Sequence, residues 1–399
     1  MATPISPPET YQEALAQAAV IVASVNTGQD PVKVVAAMSD QTVKSRETAA
    51  AVTSAAIKRL WAKVNPYRAR DVARFAAQAA QLMESAQSAS VQVAAAAQKQ
   101  QLAAMGIAVP DITVNVPVNV RAPAAAIRSG TLILDRSPST VYYGDSHTEV
   151  SVADMATAKI FERPAETYRW AIAEEKADPA GQAEQRIDSL VDTNLMLAQR
   201  LAAQQVLAQA VNLDDNGGHR GRHATAIVGY RRVIHPELSR GGSCGMCIVA
   251  SDRIYNVSKL MPIHRGCHCT IAAVTEDYDP ADDLNAVDLG QFYKDAGGNT
   301  VAHLKRTRYR VDEHGELGAV LAPDRPYKPR SVKSKRRAGK SAGTALSGRE
   351  TPEQVATRLR PLMQKNLDDL RARGLTGDSP QVTYHRDQIA KYDAILAAK

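Results

Sequence analysis

All four cysteines of the chain fall within one stretch of 26 residues, 244–269. The stretch opens with Cys244-Gly-Met-Cys247 and, after sixteen further residues, closes with His264-Arg-Gly-Cys267-His268-Cys269. Thiolate sulfur and imidazole nitrogen are ligands that zinc prefers in proteins, and structural zinc sites hold four ligands in a tetrahedron. A disulfide framework would instead spread its cysteines through a small secreted chain. The pattern therefore predicts one structural zinc knuckle.

The spacing of the cysteines suits a metal knuckle but does not choose every ligand. A Cys-x-x-Cys turn lets two sulfurs face one point, and the nearby glycines supply the tight backbone that such a turn needs. The second half of the stretch offers four candidates for two places, so a closed four-ligand shell and a structural metal are expected. We predict the zinc ligands among Cys244, Cys247, His264, Cys267 and Cys269, with His268 as a further candidate.

Other interpretations of the same stretch compete with zinc. The cysteines could be reduced thiols, some of them buried as small apolar side chains. Cys244 and Cys247 could form a redox pair, but that motif needs a helix opening at the first cysteine within a βαβ unit, which the sequence does not indicate. The run Gly241-Gly-Ser243-Cys-Gly245 matches the G-x-S-x-G pattern of hydrolases, which has meaning only at a strand-to-helix elbow. Because this run overlaps the predicted knuckle, we set the hydrolase interpretation aside.

A second candidate site is the basic stretch 326–349, in which eight residues are Lys or Arg and none is acidic. Such a composition cannot bury enough apolar surface to order itself, so we predict a basic flexible linker over 324–350. The linker could bind phosphates without sequence preference, dock on an acidic protein surface, or act as a solvated tether. The residues predicted to contact DNA or an acidic surface are Lys333, Lys335, Arg336, Arg337 and Lys340.

The composition of the 399-residue chain allows two or three domains and favours helices. Aromatic residues make up only 5% of the chain, which favours long helices packed through small side chains. The net charge of +7 permits contact with DNA or an acidic partner without requiring it. No apolar run approaches the roughly 18 residues needed to span a bilayer, and the N-terminus lacks signal-peptide features. We therefore expect a cytoplasmic protein with no membrane contact.

Helical periodicity and capping residues predict most of the elements outside the cysteine stretch. Gly106 is predicted to end the third helix, and Pro352 to open a C-terminal helical hairpin. Trp170 is expected to anchor the core beneath its helix. The predicted helices cover 11–25, 31–64 with an interruption near Ser39 and Asp40, 69–105, 160–175, 181–211, 352–373 and 380–398.

Alternating apolar and polar residues predict a strand at 111–120, with Pro117 indicating an edge, and further strands are predicted at 131–134, 141–143 and 226–234. The fold class is therefore α+β and predominantly helical. The predicted domains are an N-terminal helical region (1–108), a central α+β domain with a small sheet and the knuckle (109–323), the basic linker (324–350) and the helical hairpin (351–399).

The cysteine stretch and the strand before it resemble the C-terminal part of phage Mu F-like head morphogenesis proteins. The resemblance rests on Gly229-Tyr-Arg-Arg-Val-Ile-His-Pro-Glu, followed by Cys-x-x-Cys and then by Pro-x-His-x-x-Cys-x-Cys. It covers about residues 180–275, and position 268 is His where the family usually has Arg. The matching positions in this chain are Cys244, Cys247, Pro262, His264, Cys267 and Cys269.

The resemblance implies a minor capsid protein of a tailed bacteriophage, associated with the portal and aiding prohead assembly, DNA packaging or ejection. Its expected partners are portal, scaffold or major capsid protein, with non-specific DNA contact. Its expected location is the interior of the virion head, and the host cytoplasm during assembly.

Two other functions compete with the head-protein hypothesis. Similar proteins of actinobacterial phages are labelled capsid maturation proteases, which would cleave scaffold or capsid protein. A Ser/His site could draw on His219, His223 or His235, but no spacing selects a nucleophile and base, so a non-enzymatic protein is expected. The third hypothesis is a zinc-containing DNA-binding protein.

Overall fold

The computed structural model describes the long helices and part of the cysteine stretch. For several strands it describes the backbone alone. Within this part, no helix combines the length and apolar character that crossing a bilayer requires. The described residues are 8, 10–24, 30–109, 112, 114, 120, 125–128, 131–134, 140–143, 148–151, 156–215, 227–236, 243–257, 268–285, 292, 308–314, 318–323, 352–377 and 379–397.

Long helices dominate this part of the chain, with short antiparallel strands between them, which confirms the predicted α+β class. The helices are α1 (Tyr11–Ser24), α2 (Pro31–Trp61), α3 (Ala69–Ala104), α4 (Thr157–Ile160), α5 (Arg163–Ala173), α6 (Pro179–Asp215), α7 (Gly245–Ser251), α8 (Pro280–Asn285), α9 (Pro352–Ala372) and α10 (Pro380–Ala397). The strands are β1 (Ala125–Arg128), β2 (Thr131–Leu134), β3 (Thr140–Tyr143), β4 (Thr148–Ser151), β5 (Ile227–Val233), β6 (Ser243–Cys244), β7 (Thr270–Thr275), β8 (Arg308–His314) and β9 (Gly318–Pro323).

The end of α3 shows how the sequence sets a helix boundary. Gly106 has φ +77°, a left-handed conformation that glycine adopts without steric cost. The Gly106 N–H donates to the Ala103 carbonyl at 3.0 Å, and the Ile107 N–H donates to the Leu102 carbonyl at 2.9 Å. These two bonds form a Schellman motif, and Ile107 and Leu102 also share a buried apolar cluster. The predicted role of Gly106 is confirmed.

Contacts between residues divide the chain into two compact units, each assembled from separate segments. The first unit contains 1–53, 83–135 and 191–335, and the second contains 54–82, 136–190 and 336–399. Helices α2, α3 and α6 contribute residues to both units. The predicted linear domain boundaries stay a prediction.

The core of the first unit forms where parts of α3 and α6 pack against the antiparallel pair β5–β7. This pairing runs from Val233 opposite Thr270 to Ile227 opposite Thr275, which confirms the predicted strand at 226–234. Small and aliphatic side chains fill the space between helices and sheet, as the composition predicts. The fully buried members of the cluster include Ala95, Leu102, Val206, Leu207, Tyr230 and Ala273.

Strand β5 is held on its other edge by a bridge to Tyr255. Tyr230 and Tyr255 exchange backbone hydrogen bonds of 2.9 and 2.8 Å, and their rings stack with centroids 5.4 Å apart. A Cβ on Gly229 would lie 2.5 Å from the Tyr255 carbonyl oxygen, closer than carbon and oxygen can approach. Glycine at position 229 therefore leaves room for the backbone of Tyr255 to pair with β5.

The second unit has an aromatic core. Trp61 is 6% exposed, and its ring meets Phe75 edge-on at 5.3 Å and Tyr168 at 6.5 Å. Arg169 lies over the ring of Tyr384 at 4.7 Å and donates through Nη1 to the Pro66 carbonyl at 2.5 Å. These contacts join α2, α3, α5 and α10.

The C-terminal helices α9 and α10 pack against each other as the predicted hairpin. Leu367, Val382 and Ile389 form its buried apolar seam. Arg360 donates to both carboxylate oxygens of Asp393, at 2.8 and 3.3 Å, and this contact raises the pKa of Arg360 and lowers the pKa of Asp393. The fork-shaped pairing fixes how the two helices are aligned.

Several sequence predictions need correction. Helix α2 runs unbroken through Ser39, which is fully buried, so the predicted interruption is wrong. The predicted helix 160–175 begins later, at Arg163, with Pro164 in its first turn, and a separate short helix ends at Ile160. Trp170 is 51% exposed and does not anchor a core. Of the predicted strand 111–120, the structure describes Ile112, Val114 and Val120, none of which is in a strand, and the rest lies outside the described residues.

Candidate metal centre

The first half of the cysteine stretch lies at a junction between a strand and a helix. Strand β6 pairs with β8 through Ser243 opposite Tyr309 and Cys244 opposite Arg308. Helix α7 begins at the next residue, Gly245, so Cys244 immediately precedes the helix and Cys247 lies in its first turn. Cys-x-x-Cys at the start of a helix is a spacing that two ligands of one metal can use, and the backbone of this stretch fits it.

The fold brings Cys247 and Cys269 into the same buried apolar cluster, although 21 residues separate them in the sequence. Each is 4% exposed, and the cluster also contains Ile234 at the end of β5 and Phe292. The remaining buried members of the cluster are Met196 and Ile248. An apolar shell of this kind excludes water and strengthens the bonds of a metal to its ligands.

The main chain around Cys269 is fixed by arginines from two helices. Arg200 of α6 donates from Nη2 to the Cys269 carbonyl at 2.7 Å. Arg46 of α2 lies with Nη2 3.1 Å from Nδ1 of His268, and Glu47 lies 3.6 Å from the same nitrogen. Because guanidinium is always a donor, the Nδ1 of His268 accepts from Arg46. His268, the further candidate ligand, is thus held by a contact with α2.

The structure places the predicted ligands only in part. Cys247 and Cys269 are fully described, Cys244 is described by its backbone, and His264 and Cys267 lie outside the described residues. Among side chains within the described ranges, no three from His, Cys, Asp and Glu form a group able to hold a metal. The two sulfurs in one apolar cluster suit zinc, which prefers thiolate, and they suit equally the alternative of buried reduced cysteines. The zinc site stays a prediction.

A redox pair at Cys244 and Cys247 would need a helix opening at the first cysteine within a βαβ unit. Helix α7 does open directly after Cys244, so the expectation that no helix begins there is wrong. The other requirement, a parallel βαβ unit, is still missing from the described strands around the motif. Strand β6 is antiparallel to β8, and β5 is antiparallel to β7.

Two residues considered for a hydrolase site, Ser243 and His235, are buried inside the fold. Ser243 precedes a helix, but it is 5% exposed in an antiparallel sheet. His235 is also 5% exposed, and its Nε2 lies 2.9 Å from the Thr270 hydroxyl, which donates to the Ser39 hydroxyl at 2.8 Å. This buried chain of polar groups ties α2 to β7. His219 and His223 lie outside the described residues.

The basic stretch predicted to contact DNA or an acidic surface is not placed. Lys333, Lys335, Arg336, Arg337 and Lys340 all lie outside the described residues, and their role stays a prediction.

In comparisons with known proteins, no family model, no curated protein and no solved structure matches the chain.

Proposed function

We propose that the chain is a minor head protein of a tailed bacteriophage, without enzymatic activity, which binds the portal and assists head assembly, DNA packaging or ejection. The observation that carries the proposal is the packing of β5, α7 and β7 into one module around Cys247 and Cys269. The resemblance to phage Mu F-like head morphogenesis proteins rests in part on the sequence of β5 and of the Cys-x-x-Cys that opens α7, and its Pro-x-His-x-x-Cys run lies outside the described residues. The packing of the described elements supports treating Cys247 and Cys269 as parts of one module.

Zinc would serve this module as a structural ion. Cys247 and Cys269 would supply two thiolates from the apolar cluster, and Cys244 and either His264 or Cys267 would complete a tetrahedron. A structural metal would stabilise this module because the ligands must come together in the folded chain for the metal to bind. The chemistry of this donor set is that of a closed site, which supports a scaffold role over catalysis.

The test is binding to the portal protein of the same phage. The full chain is co-expressed with portal, scaffold or major capsid protein, and each mixture is analysed by size-exclusion chromatography with light scattering. We expect a stable complex with the portal, and loss of that complex in Cys247→Ser. The exposed change Trp170→Ala is the matched control and should leave the complex intact.

The same mixtures distinguish the competing functions. Incubation with scaffold and major capsid protein, followed by intact mass measurement, should show no cleavage. Cleavage that a single Ser or His substitution abolishes would establish a maturation protease and overturn the proposal. Absence of any complex with the portal, with tight and strongly salt-dependent binding of duplex DNA, would establish the DNA-binding alternative.

A further inference from the structure

One histidine of the second unit is buried where the C-terminal hairpin meets the turn between α2 and α3. His385 of α10 is 7% exposed. It lies one helical turn from Val382 and from Ile389, which belong to the apolar seam with α9. Its ring also packs near Tyr67 of the α2–α3 turn, with the two ring centroids 6.4 Å apart. His385 is therefore placed to sense whether the hairpin is docked on that turn.

One nitrogen of the buried ring is unpaired. Nδ1 of His385 is shielded from solvent and has no hydrogen-bond partner. Buried polar atoms in folded proteins are nearly always paired, so an unpaired ring nitrogen is unusual. Protonation makes both ring nitrogens donors, and Nδ1 would then be an unpaired donor of a charged ring in a site closed to water. The docked position of His385 therefore suits the neutral imidazole alone.

The groups around His385 oppose a positive charge on its ring. Burial lowers its pKa, and the guanidinium of Arg169 in α5 lowers it further. Tyr384 and Tyr67 are the titratable side chains whose rings pack against the imidazole, and burial raises the pKa of Tyr67 to about 12, so Tyr67 stays neutral. The α9 side chains of the seam are apolar. No carboxylate in the described part of the chain contributes to the shift.

The contacts that dock the hairpin are separate from those that pair its two helices. Tyr67 meets Tyr384 edge-on at 5.9 Å, and Arg169 lies over the Tyr384 ring. Arg373 reaches Glu175 at 3.8 Å, but both side chains are exposed, and exposed pairs contribute little. The apolar seam between α9 and α10 uses none of these contacts. The docking surface can therefore open while the two helices stay paired.

We propose that His385 is a pH-sensitive switch: its ring takes a proton from solvent, and the α9–α10 hairpin is then released from α5 and from the turn at Tyr67. Release lets water reach the charged ring and moves the ring away from Arg169. In the released hairpin the histidine has its ordinary pKa of 6.5, and in the docked hairpin its pKa is lower. The hairpin is therefore docked above pH 6.5 and is released as the pH falls through the docked pKa. This switch is independent of the proposed function of the chain.

Hydroxyl-radical labelling of the full chain, read by mass spectrometry from pH 8 to pH 5, tests the release. Labelling of Tyr67 and Tyr384, relative to the exposed Trp170, should rise as the pH falls, because the equilibrium constant for release grows by up to about tenfold per pH unit. The buried Trp61 should stay protected, and the helical circular dichroism signal should not change. Labelling of both tyrosines that does not depend on pH overturns the proposal. Labelling of Trp61 in step with the tyrosines also overturns it, because the whole unit would then be unfolding.

Two variants and one direct titration assign the effect to His385. His385→Gln replaces the ring with a neutral side chain and should make the labelling of Tyr67 and Tyr384 independent of pH. His235→Gln, which changes a buried histidine of the first unit, should keep the wild-type response. Exchange of the C2 hydrogen of His385 in the wild-type chain measures its pKa without any substitution. A pKa at or above 6.5 would overturn the proposal even if His385→Gln fails to fold.

Discussion

Asn285 offers the sharpest test of how the cysteine module is held together. It ends α8, is 4% exposed, and joins elements distant in sequence. Its Oδ1 accepts from the Ile234 N–H at 3.0 Å, and its Nδ2 donates to the Arg232 carbonyl at 2.7 Å. A longer contact of 3.4 Å reaches the Ser251 carbonyl at the end of α7. Asn285→Ala would remove all three contacts at once.

The expected loss in the free energy of unfolding follows from the two backbone groups that Asn285→Ala leaves without this hydrogen-bond partner. Ile234 and Arg232 are 6% and 3% exposed, so their backbone groups lose their partner away from solvent. An unsatisfied buried backbone group costs about 1–3 kcal/mol, which gives about 2–6 kcal/mol for two groups. Water entering beside the smaller alanine would satisfy part of the loss, so we expect about 2–4 kcal/mol.

The assay is urea unfolding followed by circular dichroism, together with hydrogen–deuterium exchange of the peptide containing Ile234. Asn285→Ala should lower the free energy of unfolding by about 2–4 kcal/mol and accelerate hydrogen–deuterium exchange at Ile234. The control is Asn65→Ala, which removes one half-exposed bond of 3.0 Å to the Tyr67 N–H and should cost less than about 1 kcal/mol. Equal stability of Asn285→Ala and wild type, with unchanged exchange, would refute the reasoning.

Three further predictions concern separate parts of the chain. Trp61→Ala should lower the free energy of unfolding by about 3–5 kcal/mol in urea, because it opens a cavity in an aromatic core. Trp170→Ala, at an exposed position, should cost less than about 1 kcal/mol, and equal costs for both tryptophans would contradict the packing. Gly229→Ala should cost about 1–3 kcal/mol in the same assay, because its Cβ would meet the Tyr255 carbonyl at 2.5 Å, and a neutral effect would contradict that close approach. Burial and a neighbouring guanidinium lower the pKa of His385, so the folded state binds this proton less readily than the unfolded chain. The contribution of His385 to the free energy of unfolding should be complete above pH 6.5, which is the ordinary pKa of histidine. It should be lost as the pH falls below that value. Tm measured from pH 8 to pH 5 should therefore fall more steeply for wild type than for His385→Gln, and parallel curves would exclude this cause.

The elements that the sequence predicts well are those with local signals. Gly106 ends α3 because a left-handed residue is needed there, and Pro352 and Pro380 open the hairpin helices. These residues act within one or two turns of their own position, so no knowledge of distant contacts is required. The buried strand β5 was predictable for a similar reason, since its apolar run is bounded by turn residues.

The two tryptophans show where local signals are insufficient. Both lie in helices with mixed apolar and polar neighbours, yet Trp61 is buried and Trp170 is half exposed. Which face of a helix meets a core depends on the partners of that helix, and those partners come from distant segments. The prediction also placed the start of this helix at residue 160, whereas α5 begins at Arg163 with Pro164 in its first turn.

The types and clustering of the cysteines predict the candidate site. The sequence does not predict which residues hold those cysteines in place. Cysteine clustering indicated the module, whereas Arg46, Arg200 and Asn285 gave no signal as single polar residues. The partner of Arg200, the carbonyl of Cys269, depends on tertiary contacts.

Metal content measured on the purified full chain tests the central claim most directly. Elemental analysis, with Cys247→Ser and Cys269→Ser prepared in parallel, gives the amount of zinc per folded chain. We predict about one zinc per chain, lost in both variants together with part of the folded structure. A metal-free chain that folds normally, with all four thiols titrating as reduced cysteines, would contradict the zinc module and remove the main support for the head-protein proposal.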